Sequence, residues 1–288
     1  MDDFLLALEL VLAQPVILGL SAAFIGLVFG GFATVAGDRL GQIAIAQDEG
    51  LDLEEDMGLV WPASRCEQCG RPLGTLERMP GIGWFVVGGK CKSCGYKVPI
   101  SAPLTEWACA VLFCLIAVTH GATWLTLAYM FAAWSFLTLS LSDLKHRTLP
   151  DSLTYPLLWG GLLAAAFGLL PISPAFSIFG AVAGFGFLWL LQEAYWRWRG
   201  VLGIGGGDVK LMGAIGAWVG IEQVFLTAAL AAVVGLVIFG LLAALRLFQD
   251  EHKPFGPMLA LAGLWATLRP EDIKTSLDWL ALMVQSIN

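Results

Sequence analysis

The sequence predicts an all-α polytopic membrane protein of about eight transmembrane helices, with one loop domain built around four cysteines. Three observations carry this. Of 288 residues, 58% are hydrophobic and only 14% charged, where a soluble domain carries roughly 25% charged residues. The apolar residues gather into runs of membrane length or close to it. Lys and Arg fall in alternate connections between those runs, the pattern that orients a membrane protein. The mean hydropathy of +0.76 agrees. The lipid bilayer is therefore the first partner of the chain, and the net charge of -7 speaks against nucleic acid.

In chain order, the segment 4–14 is short and apolar and ends before Pro15, so it reads as an interfacial helix or the start of the first span. Asp2 and Asp3 occupy the place where a signal peptide carries basic residues. The run 16–36 is long enough to cross, and its Gly26-x-x-x-Gly30 offers a small-residue face for a neighbouring helix. Seven further apolar runs lie at 103–119, 123–141, 153–170, 175–192, 209–221, 223–245 and 255–268. The run 209–221 is too short to cross a ~30 Å core unaided at ~1.5 Å per residue, so it needs a protein-lined setting. This divides the chain into a first segment and span, 1–37, a polar domain, 38–102, and a membrane core, 103–288.

The polar region changes character along its length. Asp48, Glu49, Asp52, Glu54, Glu55 and Asp56 form an acidic cluster, most simply a solvated face. Basic residues come next: Arg65, Arg71, Arg78, Lys90, Lys92 and Lys97. Among them lie Cys66-x-x-Cys69-Gly and Cys91-x-x-Cys94-Gly, two knuckles separated by a loop of zinc-ribbon length. Four thiolates suit a closed tetrahedral structural zinc site. Two disulfides or free thiols are the alternatives, and disulfides need an oxidising compartment. Cys109 and Cys114 lie in the next apolar run and read as core residues.

Basic residues also set the topology. Lys145 and Arg147, Arg197 and Arg199, and Arg246 and Lys253 come after the third, fifth and seventh runs, while the connections 120–122, 171–174 and 220–222 carry none. Arg269 and Lys274 are a mild exception. The alternation puts the cysteine region on the cytoplasmic face.

Two aspartates stand at run ends on that same face. Asp143 closes the third run, just before a basic stretch. Asp208 opens the sixth, after Gly203-Ile204-Gly205-Gly206-Gly207. Ionisable groups at such places are costly and functional by default. The glycines let an extended peptide backbone approach the carboxylate. Two carboxylates that meet over one water are the parts of an aspartic protease. Asp151, after Pro150, reads as the N-cap of the fourth span. Lys145 and Lys210 read as headgroup contacts, with substrate steering as the alternative, and His146 as a solvated loop residue.

At these residues the chain resembles the type IV prepilin peptidases, membrane aspartic proteases of the Gly-x-Gly-Asp type. The resemblance rests on Gly205-x-Gly207-Asp208-Val209-Lys210-Leu211, on Gly216-Ala217-Trp218-x-Gly220, and on Asp143 eight residues before Asp151. It extends to Gly30-Gly31-Phe32-Ala33-Thr34-Val35 with Arg39-Leu40, where Thr34 replaces the usual Asn and Gly41 the usual Pro. It includes Gly89-Lys90-Cys91-x-x-Cys94 and Pro99-Ile100-Ser101 with Glu106, in a segment shorter than usual. The resemblance implies an inner-membrane peptidase with Asp143 and Asp208 as catalytic carboxylates and prepilin or type II secretion pseudopilin precursors as substrates. In many members the polar domain also methylates the new N-terminus from S-adenosylmethionine, with Gly89-Lys90 and Glu106 near the relevant surface.

A rival reading is a proton-coupled transporter that uses Asp143 and Asp208 as a relay. It predicts internal repeats and leaves the cysteine domain unexplained. A zinc-organised membrane scaffold explains the cysteines but not the glycine-flanked Asp208.

Overall fold

Apolar runs in this chain become helices because a backbone in lipid must bond to itself. The computed structural model describes residues 14–51, 58–59, 65–66, 68–201, 203–245 and 254–269. The segment 4–13, Asp52, Glu54, Glu55 and Asp56, and Arg246, Lys253 and Lys274 lie outside them. The chain forms two compact units, Met1–His146 and Arg147–Asn288. Among the described residues there is no β-strand, only the isolated bridges Arg65 to Pro72 and Lys90 to Lys97.

The first unit contains α1 (Pro15–Glu49), a 3-10 turn (Leu76–Arg78), α2 (Gly83–Val86), α3 (Ser101–His120) and α4 (Trp124–His146). Pro15 opens α1 at a position where its missing N–H costs nothing. Gly50, at φ 64°, ends it, and the Leu51 amide bonds back to the Ala46 carbonyl at 2.8 Å. The helix therefore runs well past the expected domain boundary at residue 38, and Asp38 is helical.

Buried glycines pack α1. A Cβ on Gly26 would lie 2.6 Å from the Ala110 Cα, and one on Gly30 2.6 Å from the Glu106 Cα, so this pair seats α3 as its spacing predicted. Gly37 and Gly41 continue the stripe against α4. There a Cβ would meet the Thr138 carbonyl at 3.0 Å and the His146 ring at 2.5 Å respectively. Phe32 stacks on Trp134 at 5.6 Å, and the Trp134 indole donates to the Phe29 carbonyl at 3.1 Å.

The second unit contains α5 (Asp151–Ala166), α6 (Pro174–Arg199), α7 (Gly206–Val219), α8 (Ile221–Ala244) and α9 (Gly256–Leu268). Each of the eight apolar runs thus forms a helix over most of its length. Among the described residues, however, only α1, α3, α4, α6 and α8 have the length and hydropathy of a membrane crossing. Helices α5, α7 and α9 have 16, 14 and 13 residues.

Helix α7 is about 21 Å long at 1.5 Å per residue, and every residue from Leu211 to Val219 is buried. It packs against α5, α6, α8 and α9. A helix apolar on all sides belongs inside protein, where the need to match the bilayer is relaxed. Its contacts explain the Gly216-Ala217-Trp218-x-Gly220 stretch. Gly216 lies against Gly180 of α6 so closely that a Cβ would overlap the Gly180 carbonyl. The Ala217 carbonyl accepts from the Ser177 hydroxyl at 2.6 Å, and the Trp218 indole donates to the Leu157 carbonyl at 2.9 Å. Gly220, at φ 78°, makes the turn into α8.

Candidate active site

Asp143 sits in the last turn of α4 and is 6% exposed. The two residues at the very end of that turn are fixed from α1. The Asp38 carboxylate lies 2.8 Å from the Lys145 ammonium and 2.7 Å from His146 Nε2, and accepts from the Gln42 amide at 3.1 Å. His146 belongs to α4 and is 13% exposed at its side chain, so it is not the solvated loop residue its position suggested. Lys145, half-exposed, is held by the same carboxylate. Beyond Asp38, the Arg39 guanidinium donates to the Gly58 carbonyl at 2.8 Å and the Leu59 carbonyl at 3.2 Å, tying the next loop to α1. Sequence reasoning missed Asp38.

Asp208 is the third residue of α7, which begins at Gly206 and not near Val209. Gly205 is the N-cap, and the Asp208 amide bonds to its carbonyl at 3.1 Å. The Asp208 carboxylate turns back toward that cap: a Cβ on Gly205 would lie 3.3 Å from Oδ2. A helix start favours negative charge, so this is a natural seat for a carboxylate. Gly207 touches Leu149, where a Cβ would sit 2.9 Å from the leucine Cβ.

The expectation for Asp151 is overturned. Pro150 is the N-cap of α5, and no side chain caps that end. Asp151 instead accepts from the Lys210 ammonium through both oxygens, at 2.7 and 2.8 Å. Lys210 also lies 5.7 Å from the Tyr155 ring centre. The pair joins the starts of α5 and α7 two residues past Asp208. Asp143 belongs to the first unit and Asp208 to the second.

The four cysteines do come together. Their sulfurs all lie within 4.8 Å of one another. Cys66 and Cys94 are 3.7 Å apart and Cys69 and Cys91 3.9 Å apart, and all four are free thiols. A tetrahedral metal with sulfur ligands at about 2.3 Å spaces those sulfurs by about 3.8 Å, so the arrangement fits one ion. The two knuckles are built alike. The Cys66 amide bonds to the Arg71 carbonyl and the Cys91 amide to the Tyr96 carbonyl, at 2.9 and 2.8 Å. Gly70 and Gly95, at φ 68° and 73°, donate back to the Cys66 and Cys91 carbonyls at 2.9 Å.

The Cys94 and Ser93 amides lower the Cys91 thiol to about 6. Cys94 is drawn down by the Tyr96 amide, but burial and the neighbouring sulfurs push it up to about 12. Four crowded sulfurs resist ionising together unless a cation joins them.

The rest of the polar domain is braced by Glu77. It accepts from the Gly74 amide at 2.6 Å and from Arg71 through both oxygens at 2.8 and 2.9 Å. The Gly74 amide and then Arg71 hold its carboxyl below the usual range. Gly89, at φ 64°, faces the Trp84 ring, and Glu106 accepts from the Gly81 amide at 2.6 Å. Both residues therefore have structural partners within the domain.

These features define a multi-pass helical membrane protein with a carboxylate at each of two helix ends and a four-cysteine domain between its first two long helices. The chain belongs to the type IV leader peptidase family. That family matches residues 129–240, which include Asp143 and Asp208. The bacterial peptidase A24 N-terminal domain matches 24–120, which include the four cysteines. The chain is similar to the prepilin leader peptidase/N-methyltransferase of Aeromonas hydrophila, 39% identical over 78% of each chain. Proteins of the same name from Stutzerimonas stutzeri and Neisseria gonorrhoeae are 35% and 33% identical, over 93% and 90% of this chain and 96% and 93% of theirs. No solved structure matches the chain.

Proposed function

We propose that this chain is an inner-membrane aspartic endopeptidase that removes the leader from type IV prepilin or type II secretion pseudopilin precursors, with Asp143 and Asp208 as its catalytic pair. One observation carries the reading. Asp208 stands in the first turn of a helix whose remainder is sealed in protein, and Gly206 beside it faces open space. One ionised carboxylate takes a proton from water, and the other, protonated, polarises the scissile carbonyl. The helix start beneath Asp208 favours it as the base, with Asp143 as the acid. The substrate helix lies in the bilayer, and its leader meets both carboxylates at the cytoplasmic face. Alternation of Lys and Arg between connections supports that orientation.

Zinc is the ion that best suits Cys66, Cys69, Cys91 and Cys94, since four thiolates close a tetrahedral site and leave no open position for catalysis. When bound it supplies rigidity to the polar domain. The names of the relatives support a second activity, N-methylation of the new N-terminus from S-adenosylmethionine. Membership of a peptidase family supports cleavage over a proton relay.

Purified protein in detergent, incubated with a prepilin bearing a basic leader, should release the leader. The mature product should gain a methyl group when S-adenosylmethionine is added. Failure to cut while Asp143→Asn and Asp208→Asn abolish proton-driven uptake into vesicles would replace the peptidase with the transporter.

A further inference from the structure

Segment 79–86 of the polar domain does not stand clear of the membrane helices. The Gly81 amide donates to the Glu106 carboxylate at 2.6 Å, and its carbonyl accepts from the Trp107 indole at 3.3 Å. A Cβ on Gly81, at φ 79°, would lie 3.1 Å from Leu27 of α1. Glu106 is five residues inside α3, about 8 Å along its axis from Ser101. The segment is therefore pinned beside the interior of two helices long and apolar enough to cross the bilayer.

Around that anchor the segment turns apolar side chains outward. Ile82, Phe85 and Val86 are 51%, 58% and 57% exposed. Ile100, the N-cap of α3, and Leu104, Trp107 and Val111 on the helix are also exposed and recur at spacings of four and three, a single lipid-facing stripe. Trp107 belongs to both surfaces, being exposed on the stripe and bonded to Gly81.

We propose that segment 79–86 is a membrane foot, with Ile82, Phe85 and Val86 set into the headgroup–acyl boundary beside the first turns of α3. Lipid is the occupant because the exposed surface continues the lipid-facing stripe at the depth where Gly81 is pinned. Charge agrees: residues 65–100 contain six basic and two acidic side chains, the balance that anionic headgroups attract. Amphipathic aromatic and aliphatic residues beside a basic surface are the chemistry of interfacial anchors. The foot holds the four-cysteine domain against the bilayer.

The test replaces Phe85, and separately Ile82, with the photoreactive residue p-benzoyl-phenylalanine in the full-length protein. The protein is then irradiated in nanodiscs of phosphatidylethanolamine and phosphatidylglycerol. Thr75, polar, uncharged and exposed in the same domain, is the control position. The expected result is phospholipid adducts at 85 and 82 at least several-fold above those at 75. Cross-links from 85 to a second copy of the chain, adducts equal at all three positions, or no lipid adduct at 85 would each overturn the proposal.

Discussion

The Asp38 carboxylate lies 2.7 Å from His146 Nε2, joining the middle of α1 to the last residue of α4 across 108 positions of sequence. Lys145 shares the same oxygen at 2.8 Å. Gly37 and Gly41 flank Asp38 and let α4 approach closely enough for both contacts. The turn that carries Asp143 is thus held from outside its own helix.

Removing that hold should loosen Asp143 without unfolding the protein. Asp38→Ala is expected to slow leader cleavage by roughly 5- to 10-fold, equivalent to about 1–1.4 kcal/mol. The pair is partly exposed, so the melting transition in detergent should shift by no more than about 1 kcal/mol in stability. A cleavage rate equal to that of the parent protein would show that the clasp does not bear on Asp143.

The clasp also marks where the sequence stops being legible. The eight apolar runs could be read because lipid and protein interiors both demand self-bonded, apolar helices. The cysteine knuckles could be read because their chemistry is local, two residues apart and ended by glycine. Asp38 pairs with residues far along the chain, and no local pattern announces such a partner. The available signal was the glycine stripe. Gly26, Gly30, Gly37 and Gly41 share one helical face, so α1 had to continue past residue 38. The Asp151–Lys210 pair escaped for the same reason, its partners being 59 residues apart. A Pro-Asp start looks like a cap from sequence, but a lysine across the unit competes for the carboxylate.

That pair separates the carboxylates that react from those that brace. Asp143→Asn and Asp208→Asn should each cut leader removal by roughly a hundred- to ten-thousandfold, the range an acid–base group contributes. Asp151→Asn should lose only a few-fold. Its partner Lys210 is 36% and Asp151 47% exposed at the side chain, and such surface pairs contribute about 0–1 kcal/mol. Single-turnover cleavage of a purified prepilin distinguishes the three. Equal losses at Asp151 and Asp208 would place Asp151 in the reaction.

Packing around α7 can be probed from the far end of the helix. Gly216→Ala forces a methyl against the Gly180 carbonyl, with backbone on both sides and no flexible side chain to yield. We expect a loss of about 1–3 kcal/mol, as for other overpacked interiors, and less folded protein after mild heating in detergent. Gly186→Ala on α6 is the control. Its Cβ meets nothing within 4 Å, so stability should hold or rise by up to about 1 kcal/mol from the better helix former.

Metal content tests the four-cysteine domain independently of cleavage. Freshly purified, reduced protein should hold about one zinc per chain, and Cys66→Ser or Cys91→Ser should lose most of it. A bound sulfur must be a thiolate, so protons compete with the metal and zinc should leave as the pH falls. Cys91 is already lowered to about 6 by the amides of Cys94 and Ser93. Its contribution is therefore full above the ordinary thiol range and is lost as the pH falls through about 6, so Cys91 holds its charge to lower pH than an ordinary thiol. Glu77 shifts in the same sense, because the Gly74 amide and Arg71 favour its charged form. Its brace on the loop is also present at neutral pH and lost on acidification. Removing the metal should thus open the loop to trypsin at Arg71 and Arg78 while Asp143 and Asp208, on separate helices, still cut the leader. Elemental analysis without zinc, or a metal-free protein that no longer cleaves, would overturn the structural role of the site.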